Sequence, residues 1–179
     1  MIGVRVAALA GRERITTTPV EQEMRVDRTD AAWVGAQVVL LAAIGIGLPL
    51  ADGGPGRIDA PALRWVGAIL VVCAGAIGVV AMRQLGRQLV VQPTPIGDGS
   101  VVATGLYDIV RHPIYLAVLT GATGVALAWP SVTGLALVVA LAVLLDRKSA
   151  HEERLLVAAH PDYADYCRRV RWKLVPGIR

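Results

Sequence analysis

The chain has 179 residues, of which 55% are hydrophobic and 18% charged, with a formal net charge of +4 and a mean hydropathy of +0.56. A soluble domain carries about 25% charged residues, so this balance argues against a disordered chain, a nucleic-acid binder and a typical cytosolic enzyme. Cys73 lies in an apolar run and Cys167 in a charged tail, so the cysteines do not form a disulfide framework.

Residues 1–30 hold mixed charges and the run Thr16-Thr17-Thr18. The apolar stretch Val6–Ala10 is too short for a signal peptide, and the segment reads as a surface helix or a poorly ordered arm. Two runs follow, 31–51 and 62–82, each with roughly the 20 apolar residues that cross a bilayer core. Arg64 stands near the start of the second, where it can snorkel. Two shorter runs, 113–129 and 131–146, are separated only by Trp129-Pro130-Ser131 and read as a tight helical hairpin. No Gly or Pro interrupts Ala136–Ala159, so the last helix continues out of the membrane. Frequent glycines in the runs, among them Gly67, Gly75, Gly121 and Gly124, let helices approach closely in lipid. The expected fold is all-α: a polytopic membrane protein of about four spans with a C-terminal hairpin and a helical C-terminal cap. A soluble helical core is the competing reading, disfavoured because the first two runs lack a polar face.

Charge sets the orientation. Sixteen of the eighteen Lys and Arg fall in residues 1–30, 83–112 and 146–179, against Arg57 in the 51–62 loop and Arg64 just inside the second run. The positive-inside rule places those three segments, and both termini, in the cytoplasm. The expected location is the inner (plasma) membrane of a bacterium.

The polar residues able to carry chemistry collect on that side. Gly105–Tyr115 (GLYDIVRHPIY) leads into the third run, and Pro113 suits a first helical turn. Arg111, His112 and Tyr115 then gather at a helix N-terminus, where N–H groups and a guanidinium favour an anion. His151–Leu156 (HEERLL) follows the fourth run. Adjacent glutamates point about 100° apart on a helix, so Glu152 and Glu153 serve different directions. The hairpin brings this pair to the same membrane side as Arg111-His112. In the tail, Tyr163, Tyr166 and Val170 share a helical face. Each residue alone has a plainer reading: lipid headgroup contacts for the arginines, a solvated face or ion pair with Arg147 or Arg111 for the glutamates, interfacial anchoring for the tyrosines. No dinucleotide fingerprint, phosphate-binding loop or nucleophile elbow occurs, and the three histidines lack metal-site spacing.

Leu85-Gly86-Arg87, the stretch Val101–Tyr115 with its Arg111-His112-Pro113-x-Tyr115 core, Glu152-Glu153-Arg154-Leu155-Leu156, Tyr163-Ala-Asp-Tyr166 and Pro176-Gly177 occur in the order found in the isoprenylcysteine carboxyl methyltransferase family, and residues 83–179 resemble it. The resemblance implies an integral membrane enzyme that transfers methyl from S-adenosylmethionine. It implies a cofactor bound by Arg111, His112, Tyr115, Glu152 and Glu153 together with Tyr107, Tyr163 and Tyr166, with Arg111 and Glu152 as the catalytic residues. The implied division is a cytoplasmic segment 1–30 and one methyltransferase domain, 31–179, whose cofactor portion is 83–112 and 147–179. Ala117, where the family often has Gly, and the loop 88–100 depart from the pattern. The implied acceptor is a lipophilic or prenylcysteine-like carboxylate or thiol. Phospholipid N-methylation, an NADPH-dependent membrane reductase of the sterol reductase type and a small anionic-lipid-binding scaffold are the competing functions. Of the two acids, Glu152 is favoured for the ligand.

Overall fold

The computed structural model describes residues 19–86, 104–160 and 162–178, with side chains from residue 30 onward except that of Ala159. The expectations for the arm before Pro19 and for the 88–100 loop lie outside the described residues. The chain divides into two units, Met1–Ala32 and Trp33–Arg179. The second unit contains all of the residues expected to form a site.

Among the described residues the protein is helical, without strands. Helix α1 (Pro19–Ala42) passes into a π-helical turn, Ala43–Gly47, and a short α2 (Leu48–Leu50). Then come α3 (Pro61–Leu85), α4 (Leu106–Ile109), α5 (Pro113–Ala128), α6 (Val132–Ala159) and α7 (Tyr163–Arg169). The boundaries follow from the sequence. Pro61 and Pro113 open helices, where a missing N–H is harmless. Gly86 closes α3 at φ +54°, a conformation that favours glycine. Ser131 caps α6 by accepting from the Gly134 amide at 2.9 Å. The run expected at 131–146 is the first half of α6, which continues unbroken to Ala159.

Two helical segments, Asp30–Leu50 and Pro61–Leu85, are long and apolar enough to cross a bilayer, and α5 is a shorter apolar helix. Val38, Val39, Ile69 and Val72 are exposed on the first two. Such an apolar exterior suits a membrane-facing surface.

Packing relies on small residues. A Cβ on Gly67 would lie 2.4 Å from the Gly124 carbonyl oxygen and 2.8 Å from the Ala128 amide. The α3 and α5 backbones therefore touch directly, a route to dispersion energy when lipid supplies no hydrophobic drive between helices. On its other side α5 meets α6 and the π turn. Ile44 from that turn and Leu48 at the start of α2 join Ala122, Ala126, Leu141 and Leu145 in one core, and Leu174 of the tail completes it.

The two ends of the bundle differ. At one end the 51–60 loop is stitched to the α5–α6 turn: Ile58 N–H donates to Pro130 O at 2.8 Å, Val132 N–H to Gly56 O at 3.1 Å, and Thr133 Oγ1 to Pro55 O at 2.9 Å. The polar blocks lie at the other end, with the C-termini of α3 and α6. Gly67→Val is expected to destabilise the fold by about 1–3 kcal/mol through overpacking. Gly75→Ala, with no neighbour within 4 Å of its Cβ position, should leave stability unchanged or slightly raised. Thermal unfolding in detergent distinguishes the two.

Candidate functional site

The site grows from the short segment between α4 and α5. Gly105 enters α4 at φ +64°, and a Cβ there would fall 2.1 Å from the Gln84 side-chain amide. Glycine thus leaves room for Gln84, whose Oε1 accepts from the Leu106 N–H at 2.8 Å. That bond anchors α4 to the end of α3.

Val110, Arg111 and His112 are extended and pair with the tail. Arg111 N–H donates to Trp172 O, and His112 N–H to Lys173 O, both at 3.0 Å. Lys173 Nζ reaches Asp146 Oδ1 at 2.5 Å, tying the tail to α6. The tail thereby docks beside the α5 entrance.

Arg111 holds three pieces of chain together. Its Nε donates to Glu153 Oε1 at 2.7 Å and its Nη2 to Glu153 Oε2 at 3.4 Å. Its Nη1 donates to Val170 O at 2.9 Å and Arg171 O at 3.4 Å. Every guanidinium nitrogen therefore has an internal acceptor, with the planar fork matched to the carboxylate.

His112 sits between the two glutamates. Its Nε2 lies 3.1 Å from Glu153 Oε1, and its Nδ1 lies 3.9 Å from Glu152 Oε2. Tyr115 donates to Glu152 Oε1 at 2.5 Å. One helical turn along α5 stacks the Tyr115 ring on the His112 imidazole, 5.5 Å between centroids and 9° from parallel. The glutamates diverge as adjacent helical residues must. Glu153 is 17% exposed and Glu152 is 36%, so Glu152 is the more open. Burial pushes the Glu153 carboxyl up, but hydrogen bonds and charge from His112 and Arg111 outweigh it and hold the group below the usual carboxylate range.

The remaining candidate tyrosines stand behind this cluster. Tyr107, Tyr163 and Tyr166 are buried, and Tyr163, Tyr166 and Val170 form a small core with Leu156 and Cys167. Tyr166 donates to Tyr107 O at 2.7 Å, joining α7 to α4. Burial drives all three phenols upward, Tyr107 to about 12, so they remain protonated donors at neutral pH. Burial also pushes up the Cys167 thiol. It is free, as is Cys73.

The structure thus brings Arg111, His112, Tyr115, Glu152 and Glu153 into one hydrogen-bonded cluster, with Tyr107, Tyr163 and Tyr166 packed as its support. Sequence reasoning missed Gln84, the tail carbonyls of Val170 and Arg171, and the Asp146–Lys173 pair. It also missed Lys148, whose Nζ lies 5.2 Å from the Tyr115 ring centroid and donates to Gln37 Oε1 at 3.0 Å. The i, i+4 spacing of Lys148 and Glu152 was the available signal.

This arrangement falls within a known group. Residues 62–161, more than half of the chain, match the phospholipid methyltransferase family. The chain belongs to that family, the group of membrane methyltransferases that takes in the isoprenylcysteine carboxyl methyltransferase-like proteins. The family's description is that of methyltransferases. Among curated proteins, the cobalt-zinc-cadmium resistance protein CzcN of Cupriavidus metallidurans is 30% identical over 107 residues, 59% of this chain and 49% of that protein. The chain spans about half the length of this relative.

Glu153→Ala should release the tail and cost on the order of 2–3 kcal/mol, the scale of lost hydrogen bonds to a charged group. Because the Glu153 carboxyl is depressed in the folded state, its contribution is complete above the ordinary carboxylate range and is lost as pH falls through its lowered value. Thermal unfolding followed from pH 7 to pH 3 should show this acid loss in the native chain and a shallower one in Glu153→Gln.

Proposed function

We propose that this chain is a membrane-embedded S-adenosylmethionine-dependent methyltransferase acting on a lipophilic acceptor, with residues 31–179 as one catalytic domain. In this reading four spans cross the membrane, in a bacterium the inner membrane, and both termini are cytoplasmic. The observation that carries it is the joining of Arg111-His112 with Glu152-Glu153, through one imidazole, in a chain whose family transfers methyl groups.

The donor set suits the cofactor. Glu152 is partly open, with one oxygen taken by Tyr115 and the other not within 3.5 Å of His112, so it retains capacity to accept from ribose hydroxyls or an ammonium group. His112 and Tyr115 offer a stacked aromatic pair beside it. When bound, S-adenosylmethionine supplies an electrophilic methyl group on a positively charged sulfur. Arg111 acts as a positioning residue: it holds Glu153, and Glu153 with Glu152 sets His112. Tyr107, Tyr163 and Tyr166 act behind them by fixing α7 against α4.

A carboxylate or thiolate acceptor, the prenylcysteine-like case, needs no base, so orientation and exclusion of water dominate. The family's description favours a second reading, a phospholipid amine acceptor. An amine must lose a proton, and Glu152 is the accessible carboxylate for that role.

Isothermal titration of the detergent-purified chain tests the proposal. S-adenosylhomocysteine is expected to bind at micromolar concentration and NADPH not at all, with binding lost in Glu152→Ala and Arg111→Ala. Binding of NADPH alone would indicate a reductase, and binding of neither a scaffold. With an amine acceptor, Glu152→Gln should lower kcat by about a hundredfold; with a carboxylate acceptor this base requirement is absent. Orientation is read from Asp59→Cys and Arg154→Cys, both at exposed positions, in a chain lacking Cys73 and Cys167. A membrane-impermeant maleimide added outside cells should label the first and spare the second.

A further inference from the structure

The cluster around Glu152 has a cationic neighbour that the methyl-transfer assignment leaves unused. Lys148 lies one turn before Glu152 on α6 and is only partly exposed. It makes no ion pair among the described residues. Its charge rests over the Tyr115 ring, 5.2 Å from the centroid, and its one hydrogen bond is to a neutral acceptor, Gln37 Oε1, at 3.0 Å. A partly desolvated ammonium without a carboxylate is costly unless an anion joins it.

Gln37 is equally out of place by composition. It is the single amide in the apolar run 31–51, where polar side chains are expensive and generally face other protein groups. Trp33 lies four residues earlier on the same face of α1. Its indole Nε1 is buried with no hydrogen-bond acceptor among the described residues, although a buried indole N–H normally has one. Among the described residues, a cation without an anion and a donor without an acceptor thus stand on facing helices. The backbone of the first helix packs on α5 and α6 mainly through the π turn. Nearer the polar end, the side-chain bond between Gln37 and Lys148 adds a polar link between α1 and α6.

We propose that Lys148, steadied by Gln37 and accompanied by the Trp33 indole N–H, receives the anionic headgroup of the membrane-borne acceptor between α1 and α6, one helical turn from Glu152. This rests on the methyltransferase reading and adds to it the residue that would select the acceptor by its anionic group. Lys148 is a specificity residue in this scheme. The ammonium holds the headgroup by charge while the apolar faces of α1 and α6 take the chain, and Tyr115 links the headgroup position to Glu152.

The test uses the full chain in neutral detergent and native mass spectrometry with dodecyl phosphate, dodecanol and inorganic phosphate as probes. Wild type should bind dodecyl phosphate at least about tenfold more tightly than dodecanol, the scale of a charge-assisted contact. Lys148→Met should lose that preference and Lys148→Arg retain most of it. Trp33→Phe, which removes the N–H and keeps an aromatic ring, should weaken dodecyl phosphate several-fold and leave dodecanol unchanged. Arg154→Gln, an exposed charge outside the cluster, should behave as wild type. S-adenosylhomocysteine binding, measured on the same preparations, should persist in Lys148→Met and certifies its fold. Equal dodecyl phosphate binding in wild type and Lys148→Met, or an equal loss in Arg154→Gln, overturns the proposal. So does inorganic phosphate binding as tightly as dodecyl phosphate, since the headgroup is then not membrane-borne. Failure of wild type to bind S-adenosylhomocysteine overturns the methyltransferase reading separately, because the anion preference is read without it.

Discussion

The ion pair between Arg111 and Glu153 is the constraint on which the polar end of the molecule depends. It joins an extended tripeptide before α5, the far end of α6 and the carbonyls of the tail. Burying a carboxylate and a guanidinium is unfavourable unless their remaining hydrogen-bonding capacity is met. Here the tail supplies backbone acceptors and His112 supplies a further contact to the same carboxylate oxygen. A charged pair of this kind is directional, so it fixes the rotation of α6 about its axis at the level of Glu152. The open carboxylate is placed by the closed one.

The consequence is a division of labour between two chemically identical neighbours. Glu153 is enclosed and its charged form is favoured by its partners. Glu152 is more exposed and shares one oxygen with Tyr115. His112 lies between them and is held in turn by the Tyr115 ring. On the proposed function, in which the methyl donor carries a positive charge, such an arrangement separates a carboxylate that builds the site from one that can meet a ligand. The three buried tyrosines extend the same logic outward, since their phenols remain neutral and pack behind the cluster, and Tyr166 also donates to Tyr107 O.

On the proposed function the protein has to connect two solvents, and two features of the fold suit that requirement. Close backbone contact at Gly67 and Gly124 makes a rigid α3–α5 pair where lipid offers little drive for association. The polar cluster and docked tail gather at one end of that pair. Between α1 and α6, a lysine, an amide and an indole introduce polar groups beside apolar faces. That juxtaposition suits the amphiphilic acceptor proposed for it.

Much of this was legible along the chain because it is local. Pro61, Pro113, Ser131 and Gly86 mark helix ends through their own backbone chemistry, and the unbroken run after Ala136 announced a helix that outlasts its apolar half. The adjacency of Glu152 and Glu153 ensured that they diverge, and the brief Trp129–Ser131 turn ensured that their helix returns toward Arg111. Which glutamate Arg111 engages was beyond that reading, because it depends on the rotation of α6 relative to an extended segment 42 residues earlier. The same holds for Gln84 beneath Gly105, the tail carbonyls on Arg111, the π turn that turns Ile44 and Leu48 into the core, and the meeting of Gln37 with Lys148 across 111 residues. Composition and periodicity determined the helices, their limits and the end at which the polar groups gather. Only the tertiary structure decided the partners, because hydrogen bonds and ion pairs are short-ranged and depend on rotational phase, which side-chain packing sets and no local pattern records.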